Sequence, residues 1–272
     1  MEIEQRKVLD VKNLYVKVKS QNGDAILVRD INFELNRGRI LGLVGESGSG
    51  KTITSMSILQ LLDKKTTTTI GSVALQGREL NGLAEKEMRK IRGKDIAFIM
   101  QNPMNAFTPV FTIGHQLIET IRSHTQWNKK QARELAIEAL QHVNLPNPVN
   151  LLKQYPFQLS GGMLQRVMIA TAACLHPAVI IADEPTTALD VNNQKKVLHH
   201  LDQIRSEYGS AILLISHDLG VISEMADEVV VMQNGKIVEQ ADVFQLFNEP
   251  QSDYTKRLLN ARSILHIEEY IN

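Results

Sequence analysis

Five short apolar runs, residues 40–44, 96–100, 179–182, 211–215 and 229–232, are each bounded by turn-forming or charged residues. They do not alternate apolar with polar, which predicts strands buried on both faces of a largely parallel sheet. Between them Ala132, Leu135, Ala136, Ala139, Leu140 and Val143 recur at spacings of three and four, the apolar stripe of an amphipathic helix. Strand and helix in alternation predict an open α/β sheet. The first segment differs: residues 8–18 and 26–35, separated by a polar turn containing Asn22-Gly23-Asp24, predict an antiparallel hairpin layered on that sheet. From Gln101 to Tyr155 strand signals stop and helix dominates, bracketed by the Pro103/Pro109 and Pro146/Pro148 pairs. The expected organisation is one α/β domain over residues 1–240, a helical subdomain inserted at about 101–160, and a polar, partly helical extension over 241–272. Residues 66–69, four threonines, read as a short loop.

Composition narrows this picture without redirecting it. The 272 residues, 43% hydrophobic and 22% charged, are globular in composition and argue against disorder and coiled coil. Lys+Arg and Asp+Glu both number 30, so no basic excess points to nucleic acid. One cysteine, Cys174, excludes an internal disulfide framework and a Cys-ligated metal site, making a reducing cytosolic compartment the default. Its apolar helical surroundings make it core packing. The charged start, Met1-Glu2-Ile3-Glu4-Gln5-Arg6-Lys7, does not read as a signal peptide, and no run of 18 apolar residues occurs, so work at a membrane would require a partner.

Candidate chemistry begins with Gly45-Glu46-Ser47-Gly48-Ser49-Gly50-Lys51-Thr52, which fits G-x-x-x-x-G-K-[ST] in full, with an apolar run before it and a glycine-free apolar stretch, 53–62, behind it. The glycines let successive N–H groups face phosphate oxygens, and the following helix adds its positive N-terminal end. Lys51 is expected on the β and γ phosphates and the Thr52 hydroxyl on Mg2+. The run 179–182 ends in Asp183-Glu184, placing Asp183 to hold the Mg2+ through water and Glu184 to polarise an attacking water. A small-metabolite kinase or a GTPase shares such a loop, although the guanine-reading Asn-Lys-x-Asp motif is absent. In Leu159-Ser160-Gly161-Gly162-Met163, a serine and two glycines before a helix-compatible run form a second anion-binding end. One nucleotide has little use for two, so the economical reading gives the second to an ATP held by another subunit.

On these motifs the chain resembles the ATP-binding-cassette (ABC) ATPases, over nearly its whole length. The family signature is Leu-Ser-Gly-Gly-Gln; Met163 stands in the fifth place, while Ser160 and Gly162 are kept. Gln101 matches the Q-loop, which in the family senses Mg2+ and attacking water and moves with the helical subdomain. Ala188-Leu189-Asp190 matches the D-loop at the dimer interface, His217 the switch histidine at the γ phosphate, and Glu184 the catalytic carboxylate. The resemblance implies an α/β P-loop cassette with an antiparallel β layer, a mostly parallel core sheet and an inserted helical subdomain. It also implies ATP and Mg2+ as cofactors: residues 45–52, Gln101, Ser160, Gly161, Gly162, Asp190 and His217 at the nucleotide, Thr52, Gln101 and Asp183 at the metal, and Glu184, His217, Gln101 and Lys51 in catalysis. The family's adenine-stacking aromatic aligns at Val18, with Tyr15 three residues earlier as a substitute.

Residues 100–109, Tyr155-Pro156-Phe157-Gln158 running into 160–166, and Asn248-Glu249-Pro250 with Tyr254-Thr255-Lys256 are similar to dipeptide, oligopeptide and nickel importers. Phe157, Leu164 and the lack of any cysteine after Cys174 lean to the nickel type. The resemblance then implies a peripheral ATPase subunit on the cytoplasmic face of the cell membrane, energising import of nickel, other transition-metal ions or metal chelates, with peptide import as the alternative. Implied partners are a second ABC ATPase, a paralogue, two transmembrane permease subunits and an extracytoplasmic solute-binding protein, without nucleic acid. The rival of another class is a non-transport ABC ATPase acting on ribosomes or DNA, whose relatives carry two cassettes or long coiled coils. His199-His200 reads as a solvated helix face rather than a chelate, since adjacent helical residues point about 100° apart. Lys195-Lys196 reads as an exposed helix start, and Trp127 is left undecided.

Overall fold

The structure is a computed structural model that describes residues 7–19, 23–187 and 189–269, with side chains described to residue 261. Asn22 of the expected hairpin turn and Ala188 of the D-loop match lie outside the described residues. In chain order the elements are β1 (Lys7–Val18), β2 (Ala25–Asn36), β3 (Ile40–Val44), α1 (Lys51–Ile58), β4 (Thr67–Leu75) and β5 (Arg78–Glu79), then α2 (Glu85–Ile91), β6 (Ile96–Ile99), α3 (Ile113–His124), α4 (Lys129–His142), α5 (Pro148–Leu151), α6 (Gly161–Ala173), β7 (Val179–Asp183) and α7 (Val191–Tyr208). The last segment carries β8 (Ala211–Ile215), α8 (Leu219–Met225), β9 (Glu228–Gln233), β10 (Lys236–Asp242), α9 (Val243–Asn248) and α10 (Asp253–Glu269). All five apolar runs are strands to within one residue at each end. The chain divides into two compact bodies, one from residues up to Leu83 together with those from Ala211 onward, the other Ala84–Ser210.

In the first body β1 pairs antiparallel with β2, from Lys7↔Asn36 to Val18↔Ala25. Within β2, Ile31, Phe33 and Leu35 are buried while Asn32 and Glu34 face out, so period-two patterning sets the register. The register shifts near Asn13 and Asp30, both left-handed at φ 48° and 53°, where Asn13 Nδ2 donates to the Asp30 carboxylate at 3.0 Å. Asn and Asp tolerate that conformation better than other side chains. β4 pairs with the other edge of β1, from Leu9↔Leu75 to Val18↔Thr67. Three of the four threonines expected in a loop therefore open a strand: β-branched residues suit an extended backbone, and the partner that selects it lies about fifty residues earlier. β5 pairs antiparallel with the end of β4, and the body's remaining strands are β3 between β8 and β9, parallel to both, with β10 antiparallel on β9. Every residue of β3 and β8 is buried, as strands covered on both faces should be.

In the second body β6 and β7 run parallel in register Ile96↔Val179. The expected stripe of α4 is buried at Ala132, Ala136, Ala139, Leu140 and Val143, and a capping box closes its start: Asn128 accepts from Lys130 and Gln131 N–H groups while the Gln131 side chain accepts from Asn128 N–H. α3 lays Gly114 against α5, where an added Cβ would stand 2.5 Å from the Leu152 carbonyl oxygen. One expectation is corrected here: His199 is exposed but His200 is only 3% exposed and lines a small pocket with Ala139, Ala170 and Ile204. α7 turns His200 toward α4 and α6, so the pair is not a solvated face; the two rings lie tilted, 6.0 Å apart. Cys174 is buried, and burial pushes its thiol up to about 12.

Candidate functional site

β3 is clamped between β8 and β9, so the chain leaves it at a fixed point, Gly45. A Cβ on Gly45, at φ 150°, would stand 2.2 Å from the Met232 carbonyl oxygen of β9, and only glycine fits. The loop is tied below by Gly235 N–H donating to the Ser49 carbonyl at 2.9 Å, and internally by Ser49 N–H donating to the Glu46 carbonyl at 3.2 Å. Glu46, Ser47 and Gly48 form its exposed arch. Gly50, left-handed at φ 106°, leads into α1. Lys51 is 7% exposed, and its ammonium donates to the carbonyls of Gly45 at 2.7 Å and Glu46 at 2.9 Å. Thr52 follows, exposed in the first turn. A near-buried cation, a helix N-terminus and a curled backbone together make a binding place for phosphate. α1 stops at Ile58, short of the expected 53–62, because Gln60 turns left-handed at φ 50°. His217, exposed between β8 and α8, belongs to the same body; its neighbours are held by Ser216 Oγ accepting from Asp218 N–H and by the Asp218 carboxylate capping α8.

The second body carries the carboxylates. Asp183, buried, ends β7, and Glu184 follows in the left-handed region at φ 48°. For a long side chain this backbone is unfavourable by about 1–3 kcal/mol and is held only where the surroundings impose it. Glu184 Oε2 accepts from Gln101 Nε2 at 2.9 Å and from Thr187 Oγ1 at 2.8 Å, so two donors aim one carboxylate. Gln101 and Glu184, 83 positions apart in the chain, are thus brought together by the β6/β7 pairing.

Ser160 caps α6, its hydroxyl accepting from Met163 N–H at 3.3 Å. Asp190 caps α7 in the same way, accepting from Asn193 N–H at 3.0 Å, and the Asn193 backbone and side-chain N–H groups hold its carboxyl below the usual carboxylate range. An added Cβ on Gly162 would stand 3.1 Å from Asn193 Cγ. The two helix starts therefore lie side by side, a close approach that the second signature glycine permits. Arg166 anchors α6 to the end of α4 by donating to the Asn144 carbonyl at 3.0 Å. Val18 and Tyr15 are half-buried on β1. Sequence reasoning missed Thr187 and Asn193, whose only signal is a spacing of three from Glu184 and Asp190. Tyr254 stands in an importer-like motif of the sequence, but nothing there shows that its hydroxyl accepts from Glu46 N–H.

A phosphate loop, a strand-end Asp-Glu pair and a signature helix on an α/β scaffold define a P-loop nucleoside-triphosphatase cassette. The family model described as ABC transporter matches residues 28–187. The chain is 44% identical over 256 residues to the dipeptide transport ATP-binding protein DppD of Bacillus subtilis, covering 94% of this chain and 76% of that one. It is 45% identical over 239 residues to the metal-staphylopine import system ATP-binding protein CntD of Staphylococcus aureus, covering 88% of each. Among solved structures, the dimeric post-hydrolysis state of the ATP-binding cassette MJ0796 with ADP and Pi superposes with a TM-score of 0.77 at 26% identity, covering 86% of this chain and 98% of that one. The chain belongs to the ABC transporter family, whose ATPases bind and hydrolyse ATP to power transport.

Proposed function

We propose that the chain is the ATP-hydrolysing subunit of a membrane importer for peptides, with Lys51, Gln101, Glu184 and His217 as its reacting groups. The observation that carries the catalytic part is the Glu184 carboxylate aimed by Gln101 and Thr187 immediately after the buried Asp183. Lys51 exchanges its carbonyl partners for the β and γ phosphates, while the loop N–H groups and the start of α1 meet the remaining oxygens. Glu184 takes a proton from water as the water oxygen bonds the γ phosphorus; the bond to the β-phosphate oxygen breaks and its electron pair leaves with ADP. His217 orients the γ phosphate. Ser160, Gly161 and Gly162 serve the nucleotide of a second cassette, a paralogue, with Asp190 at the shared interface.

The Thr52 hydroxyl, Gln101 amide and Asp183 carboxylate are hard oxygen donors of the kind Mg2+ takes together with substrate phosphates. Among the described residues no group of three or more His, Cys, Asp and Glu side chains is arranged to hold a metal by itself, which fits an ion that arrives with the nucleotide. When bound, Mg2+ neutralises charge developing on the phosphates.

Among the described residues no helix is long and apolar enough to cross a membrane. The subunit works at the cytoplasmic face, docked on two permease subunits, with an extracytoplasmic solute-binding protein delivering cargo. Relatives named for dipeptide and oligopeptide transport support peptide cargo and fit better than the nickel expectation. A metal chelate is the second reading, favoured by the 45% identity to a metal-staphylopine import subunit.

The test uses the chain with its permease partners in vesicles. Peptide uptake should require ATP, and Glu184→Gln should bind ATP normally, form a stable ATP-dependent dimer by light scattering, and lose about 100-fold to 10,000-fold in turnover. Turnover within tenfold of the unsubstituted protein would remove Glu184 from the role of base. ATP-driven uptake of a metal chelate without peptide uptake would reverse the order of the two cargoes.

A further inference from the structure

Tyr254 comes from a segment that matched the importer branch in sequence but found no part in the chemistry above. Its ring is 5% exposed, and its hydroxyl oxygen accepts from Glu46 N–H at 3.0 Å, 208 positions away in the chain. Glu46 is the first variable position of the phosphate loop; the Gly45 carbonyl, in the same peptide plane as Glu46 N–H, accepts from Lys51 at 2.7 Å, and the Glu46 carbonyl accepts from Lys51 at 2.9 Å and from Ser49 N–H at 3.2 Å. Both backbone groups of this residue are therefore spoken for, the N–H by Tyr254 and the carbonyl by the loop's own lysine and serine.

Tyr254 is itself held in place from the sheet that carries the loop. On β10, the Glu239 carboxylate accepts from Gln251 N–H at 2.7 Å and from Ser252 N–H at 3.0 Å, and Ser252 Oγ accepts from Tyr254 N–H at 3.3 Å. Burial works against the charge on Glu239, yet the Gln251 and Ser252 N–H groups hold its carboxyl below the usual range. β10 pairs with β9, and β9 with β3, from which the loop springs. The loop is thus fixed at its base by the sheet and on its exposed arch by a side chain from the start of α10.

We propose that Tyr254 is a positioning residue for the phosphate loop, and that through it Glu239 and the start of α10 set the affinity for ATP. A hydroxyl on Glu46 N–H fixes the plane of the Gly45–Glu46 peptide and hence the direction of the Gly45 carbonyl, which shares Lys51 with the incoming phosphates. Losing it lets the arch relax before ATP binds, so the cost falls on nucleotide binding more than on the chemical step. The inference rests on the reading of residues 45–52 as the ATP cradle.

ATP affinity by calorimetry and steady-state hydrolysis on the full chain test it, with Tyr254→Phe, Glu239→Gln and Lys51→Ala. Tyr254→Phe should raise the Kd and KM for ATP by roughly fivefold, the size of one neutral hydrogen bond, moving kcat less than KM. Glu239→Gln should shift them in the same direction. A role in folding alone would lower the Tm without separating KM from kcat. If Lys51→Ala loses ATP binding while Tyr254→Phe binds as the unsubstituted protein does, the positioning role is overturned and the cradle stands. If Lys51→Ala binds ATP normally, the cradle falls, and the positioning role with it.

Discussion

Gly45 and Gly48 occupy the same loop, both at positive φ, but for different reasons. A Cβ at Gly45 meets the Met232 carbonyl at 2.2 Å, whereas one at Gly48, φ 80°, meets nothing within 4 Å. Gly48→Ala should cost about 1–2 kcal/mol, the conformational penalty alone. Gly45→Ala adds a backbone collision and should cost clearly more, with loss of ATP binding; urea unfolding of both variants measures the difference. Equal stabilities would mean that the approach to β9 is not what demands glycine. Spacing in the sequence identifies both glycines as loop members, because a phosphate cradle needs curled backbone at set intervals. It does not tell them apart, since the carbonyl that makes Gly45 obligatory sits 187 positions later. Glu184 shows the same division: its place after a buried Asp is legible, but the Gln101 and Thr187 donors that aim it are not.

At the scale of elements, the strands of continuous apolar residues and the stripe of α4 were legible because burial on two faces or one face leaves a periodic trace. The start of α4 carries a local signature as well. Asn128→Ala should destabilise the second body by about 1 kcal/mol by stripping the acceptor from two N–H groups. Thermal melts of that variant should show a lower Tm, restored by Asn128→Ser or Asn128→Asp, which also cap. A Tm unchanged by the alanine would argue that water replaces the cap at no cost. β4 escaped notice because an exposed run of threonines carries little burial pattern: Thr68 and Gly71 face out, and pairing with β1 along its length and with β5 at its end makes the segment a strand. The end of α1 was misjudged by four residues for the complementary reason, since apolar residues continue past Ile58 while the backbone turns away.

For the whole molecule, the pH dependence of stability follows from groups held in their less protonated form. Burial is the largest influence on His200 and outweighs the hydrogen bond that its Nδ1–H donates to Gln203 Oε1; Arg166 and His199 nearby add to it, so the ring is held below its ordinary value of 6.5. His124 is lowered too, by burial and Lys94, against Asp95. The folded chain then binds fewer protons than the unfolded chain below 6.5, and stability present above that pH is lost as the pH falls through it. A second loss follows at lower pH: although burial opposes it, Ser72 and the N–H groups of Val73 and Asn81 hold Glu79 below its ordinary 4.5. Thermal melts should show the Tm falling as the pH drops below 6.5, with His200→Gln flattening that slope. An unchanged slope in the variant would clear His200 of the effect.

The sequence by itself determined the α/β class, the phosphate loop, the Asp183-Glu184 pair, the signature helix and the family, because each is written in neighbouring residues whose spacing must match a strand, a helix turn or a row of phosphate oxygens. Only the tertiary structure decided which partners complete them: the Met232 carbonyl behind Gly45, Asn193 against Gly162, the burial of His200, the pairing of β4, and Tyr254 on Glu46. Those partners are set by close approach between segments far apart in the chain. A hydrogen bond or a steric limit of about 3 Å leaves no periodic trace in either segment alone.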